Sequence, residues 1–326
     1  MAHEALTANH QPLQVLAVLG PTASGKSALG LSLAAWCGGE IINCDSTAVY
    51  RGFDIGTDKL SIDERRGVPH HLIDIADPME VYTAAQFARD AEQAIRDIHS
   101  RGRLPILVGG TGFYYRALTR GLFPGPGADE GLRARLDAVA DRKGPERLHR
   151  ILQSVDVESA RRIMPRDRKR LVRALEVYFA TGQPLTSHFA RTESLIADCE
   201  VTAVALQLPS ALTAERVARR VDQQFARGIV EEVIGLQARG VPADARPFGG
   251  LVYRQVMELL RGVRSEPATR ELIVRENRRY ARRQLIWFRK EPNLIWFDGP
   301  GERPETLQRV CDALAVRGVC TRGDAP

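Results

Sequence analysis

The chain has 326 residues, of which 44% are hydrophobic and 26% charged, with a formal net charge of +6 and a pI near 9.2. That length allows one large domain or two ordinary ones, and the composition excludes a chain unable to bury a core. Five scattered cysteines (Cys37, Cys44, Cys199, Cys311, Cys320) with no C-x-x-C pair exclude a disulfide framework and a zinc site and favour a reducing compartment.

The polar N-terminus, MAHEALTANHQPLQ, lacks the layout of a signal peptide, and no apolar run reaches the roughly 18–20 residues that span a bilayer. A cytoplasmic protein with no membrane partner is expected. The first apolar, β-branched run, Gln14–Leu19, reads as a buried strand and leads directly into Gly20-Pro21-Thr22-Ala23-Ser24-Gly25-Lys26-Ser27. A helical pattern over Ser27–Trp36 follows. This is G-x-x-x-x-G-K-S in the strand–loop–helix context that a phosphate-binding P-loop requires. Glycines let successive N–H groups face one anion, the helix dipole and Lys26 add positive charge, and the Ser27 hydroxyl can ligate Mg²⁺.

Glu40–Cys44 is the next strand, and Asp45-Ser46 stands at its end. Ligands of open parallel sheets gather at such strand ends, so Asp45 can face Lys26 and take a proton from a nucleophile. Spacing alone equally allows Asp45 to cap a turn. His70-His71 resembles a metal pair, but adjacent histidines point apart and a structural role is expected. A helix over Ala84–His99 leads to the strand Leu104–Val108, which ends in Gly109-Gly-Thr-Gly112 without the carboxylate that P-loop ATPases carry. Phe113, Tyr114 and Tyr115 are expected in the core.

From Gly121-Leu-Phe-Pro-Gly-Pro-Gly127 to about Cys199 the pattern is charged and helical only. Strands resume at Val201–Leu206 and Leu294–Phe297. The expected architecture is therefore α/β. A P-loop NTPase-like parallel sheet covered by helices (residues 12–120 and 201–326) carries an all-helical insertion domain at 121–200. Two basic clusters stand out: Arg161, Arg162, Arg166, Arg168, Lys169, Arg170 and Arg173 in the insertion, and Arg275, Arg278, Arg279, Arg282 and Arg283 on a C-terminal helix. Single-sign faces of this kind suit the phosphates of a nucleic acid, although solvated faces or internal ion pairs produce similar runs.

The segments GPTASGKS, DSTAVYRGFDIGTDK, PHHLIDIADP, ILVGGTGFYYRAL, RDRKRLVRALEVYFATGQPL, VYRQ and RRYARRQLIWFRK occur in this order from about residue 15 to 290. Together they resemble the bacterial tRNA dimethylallyltransferases, the tRNA isopentenyltransferase or IPP transferase family. The resemblance implies transfer of a dimethylallyl group from dimethylallyl diphosphate to N6 of the adenosine just 3′ of the anticodon, in tRNAs reading codons that begin with U. It implies Mg²⁺ as cofactor and the tRNA anticodon stem–loop as partner; nothing in the sequence demands more than a monomer. Gly20 to Ser27, with Arg220, would hold the diphosphate. Asp45 would be the general base, with Thr111 of the GGT signature and Lys26 beside the reacting groups. Contacts to tRNA would come from Asp45, Ser46, Thr47, Ala48, Thr111, Arg133, Lys169, Arg170, Leu171, Val172, Arg173, Arg279, Arg282, Arg283 and Gln284. Thr47-Ala48 departs from the family's Met-Gln or Ala-Leu, Val252-Tyr253 from its Gly-Tyr, and Ile286-Trp-Phe-Arg289 from its T-W-F-R. Aligned on Arg220-Val-Asp-Gln-Gln224, the family's R-I-x-x-R loses its second arginine at Gln224. A P-loop kinase, or an RNA-binding module with a degenerate P-loop, is the alternative.

Overall fold

The computed structural model describes residues 12–320 except Pro124, Ala190 and Arg191. Residues 1–11 of the polar N-terminus, Pro124 of the Gly121–Gly127 run, and residues 321–326 of the expected core lie outside the described residues. Chain contacts divide the protein into two units, one built on residues up to Leu118 and from Ile196 onward, the other on Thr119–Leu195.

In the large unit, β1 (Leu13–Leu19), α1 (Lys26–Cys37), β2 (Glu40–Cys44), β3 (His70–His71), α2 (Ala84–Ser100), β4 (Pro105–Gly109) and α3 (Gly112–Arg120) come first. Helix α3 carries the chain across the boundary between the units. All six strands of the sheet are parallel, in the order β3-β2-β4-β1-β5-β6. β1 is buried on both faces: Val15, Ala17 and Leu19 belong to one core, Leu16 and Val18 to the other. That is why its sequence is continuously apolar. Register then positions the site. Leu19 of β1 and Cys44 of β2 both pair with Gly109 of β4, so Gly20, Asp45 and Gly110 leave the sheet at one level. Gly109 is required there, because a Cβ would collide with the Cys44 backbone.

The small unit holds α4 (Glu130–Lys143), α5 (Pro145–Val155), α6 (Val157–Arg162), α7 (Arg168–Thr181) and α8 (Leu185–Phe189) around its own apolar cluster. Leu171 and Val172 belong to that cluster, and Leu171 is 0% exposed, so the expectation that these two touch tRNA is corrected: their side chains are core. Glu176 on α7, also 0% exposed, accepts hydrogen bonds from the Asp129 amide (2.8 Å), Arg133 (2.8 Å) and Arg173 (2.7 Å). Burial alone would raise this carboxyl, but the two arginines outweigh it and hold its pKa below the ordinary value.

The chain re-enters the large unit through Ile196, which is buried in that unit's core, ahead of β5 (Cys199–Gln207). The sequence puts this return at Val201, because Asp198 and Glu200 mask the strand's start. Helices α9 (Ser210–Ala226), α10 (Ile229–Ala238), α11 (Leu251–Leu260) and α12 (Glu266–Phe288), strand β6 (Leu294–Asp298) and α13 (Pro304–Val316) complete it. No helix among the described residues is long and apolar enough to cross a membrane.

Removing Glu176 leaves two arginines and a helix N-terminus without their shared acceptor. Glu176→Ala is expected to destabilise the Thr119–Leu195 unit by on the order of 3 kcal/mol, measured by urea unfolding at pH 7. Because the folded pKa is depressed, wild-type stability from this carboxylate is present above about pH 4.5 and fades as the pH falls below it. The mutant is expected to lack that component of acid sensitivity.

Candidate functional site

A cavity of about 320 Å³ opens where β1, β2 and β4 end, lined by Lys26, Ser27, Asp45, Asp58, Arg220 and Tyr280 among others. Of the P-loop, Thr22, Lys26 and Ser27 line it. Ala23 (φ 63°) and Gly25 (φ 87°) are left-handed, a conformation costly for an L residue and free for glycine. A Cβ on Gly25 would also strike Glu302 and lie 2.6 Å from the Gly301 nitrogen. Neighbouring elements brace the curl. Arg216 of α9 donates to the Ala23 carbonyl (2.7 Å), the Gly301 N–H donates to the Ser24 carbonyl (3.0 Å), and Arg220 donates to the Thr22 hydroxyl (2.7 Å). Pro21, Ala23 and Ser24 are buried, so their side chains hold the loop and only backbone can meet a ligand.

Lys26 lies in the cavity, where its ammonium donates to the Pro21 carbonyl at 3.4 Å. Desolvation and the Arg220 guanidinium pull its pKa down to about 8. Two cations in a confined space, only partly offset by carboxylates, are what an incoming dianion would relieve. Asp58 is the counter-charge present, 3.2 Å from Arg220 Nε, with its own carboxyl raised by burial against that guanidinium's pull.

Asp45 both caps a turn and lines the cavity, so the two uses allowed by spacing coexist. Its Oδ1 accepts from the Thr47 amide (2.8 Å), the Thr47 hydroxyl (2.7 Å) and the Ala48 amide (3.3 Å). Thr111 Oγ1 accepts from the Ser46 amide at 3.1 Å, tying the GGT loop to the Asp45 loop. Ala48 is buried; Ser46 and Thr47 are partly open and line the cavity.

The register placed on the arginine pattern is corrected. Gln224 turns to Asp58 (3.0 Å) and toward the carbonyls of Ile55 and Gly56, whereas Arg220 one turn earlier enters the cavity and Arg216 holds the P-loop. R-I-x-x-R therefore maps onto Arg216-Val-Ala-Arg-Arg220, and no arginine is missing. Arg219 is exposed and paired with Glu215. Gln284 is likewise not presented as a free tRNA contact: its carboxamide is buried, accepting from the Thr22 N–H (2.8 Å) and donating to the Gly110 carbonyl (2.9 Å).

Among the predicted polyanion contacts, Lys169 and Arg170 are exposed, with Arg170 paired to Asp167 at 3.0 Å, while Arg133 and Arg173 are committed to Glu176. Arg275, Arg278, Arg279, Arg282 and Arg283 are all exposed on α12. The same helix turns Asn277, Tyr280 and Gln284 into the cavity. Sequence reasoning missed Asn277, Tyr280, Asp58 and Tyr253 as lining residues. The 3–4 spacing of Asn277, Tyr280 and Gln284 between the arginines is the signal that could have found the first two. Tyr114 and Tyr115 are core, as anticipated, but Phe113 is exposed. His70 and His71 diverge, to the Val68 carbonyl and to Glu40.

The described residues hold no group of three or more His, Cys, Asp or Glu arranged for a metal. A hard divalent ion held mainly by substrate phosphates needs less, and the Ser27 hydroxyl supplies an oxygen donor in the same cavity as Lys26, so the donor set fits Mg²⁺ carried on a diphosphate.

Residues 48–291 match the family model described as IPP transferase. A tRNA dimethylallyltransferase of Geobacter metallireducens is 46% identical over 91% of this chain and 96% of its own length. One from Solibacter usitatus is 45% identical over 93% and 98%. A solved structure of the full-length tRNA isopentenylpyrophosphate transferase from Bacillus halodurans superposes with a TM-score of 0.69 at 36% identity, covering 94% of this chain and 96% of that one.

A Cβ at Gly110 would lie 2.5 Å from Gln284 Nε2, 3.2 Å from the Gly20 carbonyl and 3.5 Å from Lys26 Cε. Gly110→Ala is therefore expected to weaken binding of inorganic pyrophosphate with Mg²⁺ at least tenfold by calorimetry, with the thermal midpoint lowered by only a few degrees.

Proposed function

The chain belongs to the IPP transferase family and is a prenyltransferase acting on tRNA; we propose that its reaction moves a dimethylallyl group from dimethylallyl diphosphate to N6 of the adenosine just 3′ of the anticodon, in tRNAs reading codons that begin with U. The observation that carries this reading is the convergence of a P-loop, Lys26 and Arg220 with the carboxylate of Asp45 in one cavity. An ATPase-like reading would need a carboxylate at the tip of β4, where Gly109 and Gly110 stand instead.

The diphosphate lies on the N–H groups of Gly20–Ser27, with Lys26 and Arg220 beside it. The Ser27 hydroxyl would hold Mg²⁺, which when bound would offset charge on the diphosphate oxygens. As the allylic C–O bond breaks, negative charge grows on the departing diphosphate, and the loop amides and the two cations are already oriented toward it. The adenine N6 lone pair forms the new C–N bond. Asp45 accepts the N6 proton, so a neutral secondary amine and a free diphosphate result. An exocyclic amine in a stacked anticodon loop is out of reach until the base is turned out of the stack; Ser46 and Thr47 border the space it would enter, and Thr111 holds Ser46 from behind.

The tRNA is gripped by phosphate contacts from Lys169 and Arg170 on the insertion and from Arg279, Arg282 and Arg283 on α12. All five are exposed. Every residue named lies in one copy of the chain, so a monomer suffices. A tRNA substrate gives a cytoplasmic location.

The test is incubation of the purified protein with Mg²⁺, labelled dimethylallyl diphosphate and unmodified bulk tRNA, followed by nucleoside analysis. Label in N6-prenyladenosine is the expected result. ATP hydrolysis without labelled nucleoside would make the protein a kinase-like enzyme instead. Asp45→Ala is expected to lower kcat by about 10²–10⁴-fold while the Kd for tRNA stays within threefold. Lys169→Glu combined with Arg170→Glu is expected to weaken tRNA binding and flatten the slope of log K against log salt by roughly one to two; an unchanged slope would remove this cluster from the interface.

A further inference from the structure

We infer that Thr47 is a positioning residue for the general base: its hydroxyl fixes which oxygen of Asp45 takes the proton. The inference rests on Asp45 being the base, as proposed above. The hydrogen bonds that the Asp45 carboxylate accepts among the described residues all fall on Oδ1, from two backbone amides and the Thr47 hydroxyl. The hydroxyl bond, at 2.7 Å, is the shortest of the three and the only one from a side chain. An oxygen crowded by three donors is the poorer proton acceptor, so Oδ2 is left as the basic one.

The hydroxyl is itself held. Thr47 is β-branched, with few χ1 choices, and its Cγ2 lies 3.8 Å from where a Cβ would stand on Gly250 at the start of α11. That restricted choice keeps Oγ1 directed at Asp45. The Thr47 carbonyl accepts from the Tyr50 N–H at 3.2 Å, and Tyr50 is a fully buried core residue, so the turn is anchored at its far end as well. The charged or titratable groups facing the Asp45 carboxylate from other elements are Lys26 on α1, Tyr114 on α3 and Tyr280 on α12, with Cys44 beside it on β2. None of them donates a hydrogen bond to it. Orientation of the base therefore depends on the turn, and in the turn on Thr47.

A residue that touched tRNA directly would act on affinity, whereas a residue acting through Asp45 must act on the chemical step and only while Asp45 is present. Single-turnover transfer from dimethylallyl diphosphate to unmodified tRNA separates the two. Thr47→Val is expected to lower the rate at saturation about five- to tenfold, with KM for both substrates within twofold, and Thr47→Ser to restore it to within twofold of wild type. In an Asp45→Ala background, Thr47→Val is expected to have no further effect. Circular dichroism melts of each variant keep a folding defect from passing as the result, and the Ser variant reads the hydroxyl with least change of shape. A loss confined to KM for tRNA, an equal loss in the Asp45→Ala background, or full activity in Thr47→Val would overturn the inference while leaving Asp45 as base. Wild-type turnover by Asp45→Ala alone would remove the base, and this role of Thr47 with it.

Discussion

Aiming a run of backbone N–H groups at one anion requires a curl that an L-amino-acid chain resists, and here Ala23 adopts a left-handed φ of 63° within that curl. A non-glycine residue held there costs on the order of 1–3 kcal/mol and persists only where the surroundings over-determine it. The surroundings do so from three elements. Arg216 and Arg220 reach in from α9, Gln284 from α12, and Gly301 from the loop after β6. The last three meet at the P-loop because β1, β4, β5 and β6 are neighbours in a parallel sheet and release their loops on one edge. An antiparallel arrangement would send half of those loops to the other edge.

Charge in this protein has to be read by availability, and the count of basic residues misleads. In the insertion, Arg133 and Arg173 serve Glu176, and Arg168 serves Asp137 and Asp141, so these positive charges are structural. Pairs such as Arg170–Asp167 are exposed and worth about 0–1 kcal/mol, which a nucleic-acid phosphate can replace at little cost. The pair network on Glu176 is different in kind. Its acceptor is fully buried, and withdrawing an arginine would leave a buried carboxylate uncompensated.

The strands and the phosphate loop were legible because their signals are local. Five of the six strands show as apolar runs with boundaries within two residues of those observed, and the G-x-x-x-x-G-K-S loop carries its geometry in its glycines. β3 escaped because two residues, His70 and His71, form no pattern. Errors at the site were of another kind. Leu171 and Val172 lie in a basic run, but helical geometry turns these two inward while Lys169 and Arg170 face out. Gln284 follows Arg282 and Arg283 in sequence and was grouped with them, although it is on the buried side of α12. Gln224 reads as a lost arginine in sequence because the repeat of basic residues at Arg216, Arg219 and Arg220 admits two registers, and only the third dimension separates them.

Helix α12 shows why these two sides belong together. At 1.5 Å per residue its 23 residues form a rod of roughly 35 Å, and a rod cannot move one face without the other. Its inner face carries Asn277, Tyr280 and Gln284 to the cavity, and Gln284 grips both the P-loop and the loop after β4. Its outer face carries exposed arginines over two turns, Arg275 to Arg283. A polyanion bound to that face would thereby be indexed to the P-loop by covalent geometry, with no flexible linker between. Prenyl transfer to one position among the many bases of a tRNA depends on such indexing, because cations at a P-loop are suited to a phosphate and carry no information about the nucleotide.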